Sequence, residues 1–284
     1  MLRAVRSACL LAVDSTPPAR TALAVVLAAT ALALGARPAE AQTEYRNLDE
    51  ERPVATEDAY PVERYGFELL APYRFDADRG GTRVYLVAPE LEYGLLPNAQ
   101  VSIRSLFAVA DRPTGTDWGF AGMRLSGLYN LNTESAGLPA LALRTDAFMP
   151  LGKLAGDAFR FTIKGIATRS WGSTRGHLNA AVGLGSDDGA SVELPARWAV
   201  SAAVDHTFIR HSLLVVMEVL TERPVRGAPI GVSASGGIRW QWLPTLVLDG
   251  GVTRRLGSHG PDVALTIGLS QAFAIAALMP GAHP

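Results

Sequence analysis

From Val263 to Phe273 the chain alternates Val263, Leu265, Ile267 and Leu269 with Ala264, Thr266, Gly268 and Ser270, then closes on an aromatic. A period of two puts one set on each face of an extended strand. The pattern recurs from Arg64 onward. Tyr65, Phe67, Leu69, Ala71, Tyr73 and Phe75 share one face, opposite Arg64, Gly66, Glu68, Pro72 and Arg74. Further along, Tyr85, Val87, Leu91 and Tyr93 oppose Glu90 and Glu92, and Val101, Ile103 and Phe107 oppose Gln100, Ser102 and Arg104. Met123, Leu125 and Tyr129 oppose Arg124, Ser126 and Asn130, while Leu141 and Leu143 oppose Arg144 and Asp146.

The same reading continues to the end of the chain. Phe159, Phe161 and Ile163 oppose Arg160, Thr162 and Lys164, and Leu178, Ala180 and Val182 oppose Asn179, Ala181 and Gly183. Trp198, Val200 and Val204 face away from Arg197, Ser201 and Asp205, and Leu213, Val215 and Met217 from Glu218. Ile238, Trp240 and Trp242 oppose Ser233, Ser235, Arg239 and Gln241, and Leu246, Leu248 and Val252 oppose Asp249 and Thr253. With the closing segment, about twelve strands are predicted. Charges on one face and aromatics at the ends of the apolar face predict an all-β, transmembrane, antiparallel up-and-down barrel.

Parity tests this count. Short turns are expected at Leu96–Asn98, Asn132–Gly137, Gly172–Gly176, Phe208–His211 and Leu243–Pro244. Longer outer loops are expected at Asp76–Gly81, Asp111–Asp117, Leu151–Asp157, Ser186–Pro195, Arg223–Pro229 and Gly257–Pro261. Pro89 and Pro139 interrupt or open strands, since a closed barrel has no free edge on which to place a missing donor. Gly236-Gly237 and Gly250-Gly251 mark expected bends or bulges. The closing strand is expected to pair with Arg64–Phe75, sealing first strand to last.

The N-terminus sets the destination. Arg3, Arg6 and Arg20 precede an uncharged apolar run from Thr21 to Gly35, followed by Ala39-Glu40-Ala41. This is the order of a cleavable signal peptide, expected over residues 1–41. The run falls short of the roughly 20 residues that a spanning helix needs. Residues 42–62, acidic and broken by Pro53 and Pro61, are expected as a periplasmic lead-in, with a plug entering the barrel as the alternative. The barrel is then expected over 63–275 and a tail over 276–284.

Composition narrows the chemistry. Cys9 is the single cysteine and precedes the apolar run, so the mature chain has no disulfide or thiolate metal site. The full chain carries 26 basic and 27 acidic residues. Removing Arg3, Arg6, Arg20, Arg37, Asp14 and Glu40 leaves a slight negative excess, which argues against a nucleic-acid partner.

The candidate lumen lining is Glu68, Arg74, Glu90, Glu92, Arg104, Arg124, Arg144, Asp146, Arg160, Lys164, Arg197, Asp205, Glu218, Arg239 and Asp249. Such balanced charges pair across strands and fill the interior, or line a narrow polar passage. A rim hydrolase would need Ser and His paired by an orienting group. Asp205 and His206 are adjacent in one strand and point to opposite faces, as do His211 and Ser212. No catalytic residue, metal site or cofactor is expected. The expected partners are the lipid bilayer, the barrel-assembly machinery and a small-molecule solute.

Three stretches carry a family likeness. Glu90-Leu91-Glu92-Tyr93-Gly94-Leu95 with Pro97-Asn98, then Trp118-Gly119-Phe120, then Phe148-Met149-Pro150-Leu151-Gly152, resemble the transporter family named for the meta-pathway of phenol degradation. The resemblance implies a bacterial outer-membrane barrel passing small, including aromatic, molecules. Gly122 stands where the resemblance implies Asp, and Leu151 where it implies Thr. These departures bear on subfamily and substrate. The function expected is passive transport of a small solute, and the alternative is a structural or assembly barrel with a filled interior.

Overall fold

The computed structural model describes residues 45–187, 191–208, 212–258, 260–275 and 278–279. The expected signal peptide, Cys9, His211, His259 and most of the tail lie outside them. Strand segments β1 (Gly66–Leu70), β2 (Tyr73–Ala77), β3 (Arg83–Val87) and β4 (Glu90–Leu96) come first. Then follow β5 (Ala99–Arg112), β6 (Gly115–Asn132), β7 (Ala140–Met149), β8 (Arg160–Trp171) and β9 (Thr174–Gly185). The last five are β10 (Trp198–Phe208), β11 (Leu213–Arg223), β12 (Gly231–Leu243), β13 (Leu246–Arg255) and β14 (Val263–Ala274). All neighbours are antiparallel and the sheet closes on itself as a twelve-stranded barrel.

The fourteen segments make twelve strands because β1 and β2 lie end to end against β14, and β4 and β3 end to end against β5. The interruptions fall at Ala71-Pro72 and Ala88-Pro89, where each proline lacks the N–H that a continuous ladder needs. The gap stays bonded: Ala71 N–H donates to Leu269 O at 2.9 Å and Ala88 N–H to Pro72 O at 3.2 Å. Pro139 sits one residue ahead of β7 and costs no ladder bond. At the seam Glu68 pairs with Ala272 and Arg74 with Thr266, and the Phe67 and Phe273 rings stack at 5.3 Å. First strand therefore seals to last, as the alternation predicts.

Among the described residues the connections follow the expected parity with two corrections, and the expected Phe208–His211 turn lies outside them beyond Phe208. The Asp111–Asp117 outer loop is a tight turn at 113–114, because β5 and β6 continue as a hairpin with Asp111 opposite Thr116. Gly115 turns there at φ 142°, and the Thr116 hydroxyl donates to Asp111 at 2.8 Å. The Gly172–Gly176 turn contracts to 172–173, since Thr174 already pairs with Trp171.

The outer face is a band of exposed apolar residues such as Ile103, Leu125, Leu143, Ile163, Val204 and Met217. Tyr129, Trp171, Phe208, Trp240 and Trp242 gather near the short turns, and Trp118 and Phe159 near the loops. That spacing matches a pair of aromatic girdles.

Residues 45–62 lie inside the barrel, against its inner wall, so the expected lead-in outside the barrel gives way to the plug. Tyr45, Leu48 and Val54 join Ala203, Leu214, Val216 and Val247 in one buried cluster. The segment rises from the short-turn end, turns at Glu51–Ala55 and returns to the same end. There the Val62 N–H donates to Gln100 at 2.7 Å, and Tyr65 N–H to Gly94 O at 2.7 Å.

The paired glycines explain how the turn fits. The ladder between β12 and β13 runs unbroken through Gly236, Gly237, Gly250 and Gly251, so these are not bulges. A Cβ at Gly237 would lie 2.6 Å from the Pro53 Cβ, one at Gly251 would overlap the Pro53 carbonyl oxygen, and one at Gly268 would lie 2.7 Å from Arg52 Nε. The three strands together leave a slot, one side chain deep, that Arg52-Pro53 occupies. Gly251→Ala is expected to lower stability by about 1–3 kcal/mol through overpacking. Gly165→Ala, with nothing within 4 Å of its Cβ, should sit near wild type. The midpoint of urea unfolding for the two refolded variants checks the contrast.

Candidate functional site: a plugged, charged lumen

Acids on the plug meet bases on the wall. Glu50 accepts from Arg124 at 2.7 Å and from Lys164, and pairs with Arg144 at 3.2 Å. Glu51 pairs with Arg104 at 2.7 Å, Glu57 with Arg144 at 2.6 Å and with Lys164 at 3.3 Å. Asp58 pairs with Arg175 at 3.0 Å and Asp49 with Arg239 at 2.9 Å. The plug's Arg52 reverses the polarity: it pairs with Asp249 and donates to Ser270 Oγ at 2.7 Å.

Neutral contacts complete the seat. Thr56 N–H donates to Glu218, the Thr56 and Ser201 hydroxyls lie 2.7 Å apart, and Asn130 Nδ2 donates to the Ala59 carbonyl at 2.7 Å. Thr266 Oγ1 donates to the Pro53 carbonyl at 3.1 Å. The plug has little regular structure of its own, so its backbone polar groups depend on these wall side chains once buried.

Most of the candidate lining residues fall where the alternation puts them. Arg104, Arg124, Arg144, Lys164, Arg239 and Asp249 hold the plug, and Glu218 accepts its Thr56 N–H. Glu90 pairs with Arg104 and accepts from the Ser102 hydroxyl, Glu92 accepts from Gln100 at 3.2 Å, and Asp146 accepts from Arg144 at 2.8 Å. Glu68 is buried beside the Arg52 and Arg239 group, and Arg74 pairs with Asp76 and Glu193.

Two residues serve the rim instead. Arg160 and Arg197 both clasp Asp187, and Arg197 stands one residue before β10, donating to Gly183 O at 3.0 Å and Gly185 O at 2.9 Å. A charge just outside the strand is held by the loop, not by the lumen wall.

The periodicity reading passes over Arg175 and His177, which lie in the first turn-proximal residues of β9. Asp205 accepts from Arg175 at 2.8 Å and faces His177 Nε2 at 2.8 Å, while Thr168 Oγ1 lies 3.1 Å from His177 Nδ1. This hydroxyl, imidazole and carboxylate line up as in a nucleophilic triad. Yet the Ala59 N–H donates to the Thr168 oxygen at 3.1 Å, and Thr168 is fully buried. The group anchors the plug and presents no nucleophile to a substrate. His206 turns away from Asp205 to Thr174, 2.8 Å off.

The plug occupies the short-turn half of the lumen and leaves space in the loop half. Two cavities, of about 120 and 220 Å³, share Glu51, Ala55, Leu220 and Glu222 in their linings. The smaller reaches Asn179, Thr162 and Pro195; the larger reaches Ser233, Thr253, Thr266 and Pro261.

Electrostatics follow from burial against pairing. Burial opposes the Glu50 charge, but Lys164, Arg144, Arg124 and Arg104 outweigh it and hold this carboxyl well below its ordinary value. For Glu57 the burial effect wins over Arg144 and Lys164 and moves the group up. In the loop half, burial raises Glu193 to about 7 despite Arg74.

Gly122 has a steric reason: at φ 123°, a Cβ there would lie 2.6 Å from the Phe148 ring. An Asp has no room, and Leu151 stands half exposed in the following loop.

Arg144 touches Glu50, Glu57 and Asp146 together, so Arg144→Met takes a cation from all three and leaves Glu50 and Glu57 to Lys164 and Arg124. Losing one partner of a buried pair costs about 3–5 kcal/mol, so R144M should be strongly destabilised and Glu57→Gln in the same chain should recover part of the loss. Because its folded value is depressed, Glu50 stabilises the fold above the ordinary carboxylate range. That contribution disappears only as pH falls through the lowered value. The stability gap between wild type and Glu50→Gln, read by urea unfolding, should therefore persist from pH 7 down to about pH 4, near the ordinary Glu value.

No protein-family model matches the chain, and no curated protein does. Among solved structures, the chain is similar to the COG4313 outer membrane channel from Pseudomonas putida F1, at 12% identity and a TM-score of 0.57, over 76% of this chain and 98% of that one. It also aligns with the KdgM porin in complex with disordered oligogalacturonate, at 12% identity over 72% of this chain and 99% of that one (TM-score 0.47). The NanC porin aligns at 9% identity over 72% of this chain and 98% of that one (TM-score 0.48). The chain shares the fold of the first of these, and in this chain that fold is a closed antiparallel barrel of twelve strands.

Proposed function

We propose that the protein is a bacterial outer-membrane channel for the passive entry of small solutes, with residues 45–62 as the constriction. The observation that carries this reading is a closed barrel, apolar outside between two aromatic girdles, whose inner face is charged and whose plug leaves two cavities of about 120 and 220 Å³. A barrel built solely for mechanical stability gains nothing from burying so many ions, since well-packed apolar side chains are at least as stabilising. Charge retained inside a membrane protein is most economically explained by a water-filled route for polar solutes. The apolar band would face lipid, which closed barrels alone among β structures tolerate, because they leave no edge unbonded.

The likeness to the Pseudomonas putida channel supports the fold side of this reading. The short motifs around Glu90, Trp118 and Phe148, which resemble the phenol-degradation transporter family, support small solutes, aromatic ones included, as the cargo. A non-conducting assembly barrel is the competing reading.

The plug's contacts define the test. Refolded protein in a planar bilayer should show small, resolvable openings. The double variant Glu50→Gln, Glu57→Gln, which removes the carboxylates holding Arg124, Arg144 and Lys164, should raise open probability or unit conductance severalfold. A barrel whose folding is confirmed by heat-modifiable gel mobility, yet silent in both forms, would sink the channel reading in favour of a filled one.

A further inference from the structure

On the loop side of the lumen two carboxylates form no ion pair among the described residues. Glu218 is buried; its one acceptor contact is the Thr56 N–H, and its Oε1 has no partner. Glu222, four residues on and on the same face of β11, makes no ion pair among the described residues. Across the ladders, Glu218 faces Ala203 and Ser235, and Glu222 faces Ala199 and Gly231. Between them Leu220 is flanked by Ser201 and Ser233. These small neighbours open the space that the two cavities share, and none carries charge.

The cations that do reach these cavities are already matched. Arg124 and Lys164 are held by Glu50, Arg74 by Asp76 and Glu193, and Arg255 by Asp262 at 2.6 Å. A second observation is independent of the acids. Asn179, 5% exposed and on the smaller cavity, has neither its amide nitrogen nor its amide oxygen satisfied. The Thr162 hydroxyl on the same cavity is also unpartnered. Buried polar groups without partners are rare and call for a ligand or ordered water.

We propose that this region is a subsite for a small polar amine: its ammonium group lies at Glu222, with Glu218 as the adjoining acid, and its neutral hydroxyl or carbonyl end bonds Asn179 and Thr162. The chemistry is complementary. An ammonium offers three donors and no acceptor, which suits unpaired carboxylates, while a primary amide offers both a donor and an acceptor to a hydroxyl. An anionic solute of equal size would meet two carboxylates that form no ion pair and, among the described lining residues, only cations already held by acids. The proposal deepens the channel reading by naming the class of solute that the plugged lumen retains.

Three two-carbon probes of matched size separate the contributions: ethanolamine (cationic), ethylene glycol (neutral) and glycolate (anionic). Saturation-transfer NMR on the detergent-refolded full barrel should show ethanolamine binding several-fold more strongly than either of the others. Glu222→Gln should reduce ethanolamine to the level of ethylene glycol, and Asn179→Ala should weaken ethanolamine and ethylene glycol alike. Glu218→Gln, which keeps an acceptor for Thr56, serves if Glu222→Gln does not refold. Glycolate equal to or better than ethanolamine in the wild type, or an unchanged ethanolamine signal in the folded Glu variant, would overturn the subsite. Binding is read without a bilayer, so the two readings fail separately. A barrel that prefers ethanolamine but never conducts loses the channel, and one that conducts without the preference loses only this site.

Discussion

The structure depends on the match between the acids of one short segment and the bases of the surrounding wall. Asp49, Glu50, Glu51, Glu57 and Asp58 enter a space lined by Arg239, Arg124, Arg144, Lys164, Arg104 and Arg175, where the wall acids Glu90, Asp146 and Asp205 match only part of the positive charge. Cations held so close in a low-dielectric interior repel, and each lacks the water that would hydrate it. The plug supplies the counter-charge, and the wall supplies the hydrogen bonds that an irregular buried backbone lacks. Each element accounts for an otherwise costly feature of the other. Arg144 is the centre of the arrangement because it touches plug and wall acids at once.

Shape enforces what charge selects. Bases on a barrel wall could be neutralised by acids in many positions, but the turn of the plug lies directly on the sheet where β12 to β14 offer a floor without side chains. Pro53 lies over Gly237 and Gly251, and Arg52 passes over Gly268 to reach Asp249. The reversed pair, a base on the plug and an acid on the wall, falls at the place where backbone approaches backbone. The same seating leaves the two cavities beside Leu220 and Glu222, in the part of the loop-side lumen that neither the plug nor the Leu154 and Val192 cluster fills.

The barrel itself was legible because it rests on local rules. Alternation identified the inner and outer sides of every strand, down to buried Arg144 and Asp146 against exposed Leu141 and Leu143. Turn parity gave closure, and the closing strand paired with the first as its pattern required. What escaped is non-local. Residues 45–62 carry no period, so nothing in them distinguishes a chain solvated outside a barrel from one ligated inside it. The paired glycines read equally well as bulges or as a floor, because the atom that needs the room, in Pro53, is almost two hundred residues away. Arg197 looked like lining because its strand starts one residue later than the alternation suggests, and Arg175 was hidden by a turn shorter than expected, with His177 just beyond it.

The sequence by itself determined which side of each strand faces inward, because a side chain's face depends only on odd or even position along an extended backbone. It also determined that ions would be buried, since charged residues recur on one face throughout. Only the tertiary structure decided the partner of each ion. Pairing strength depends on distance in space and on lost solvent, and neither is encoded by separation along the chain. Thus Arg124 and Lys164, expected to find acids on neighbouring strands, find Glu50 of the plug instead. Glu218, drawn from the same alternation, and Glu222 beyond it form no ion pair among the described residues, because the plug's Arg52 is carried to Asp249 on another strand.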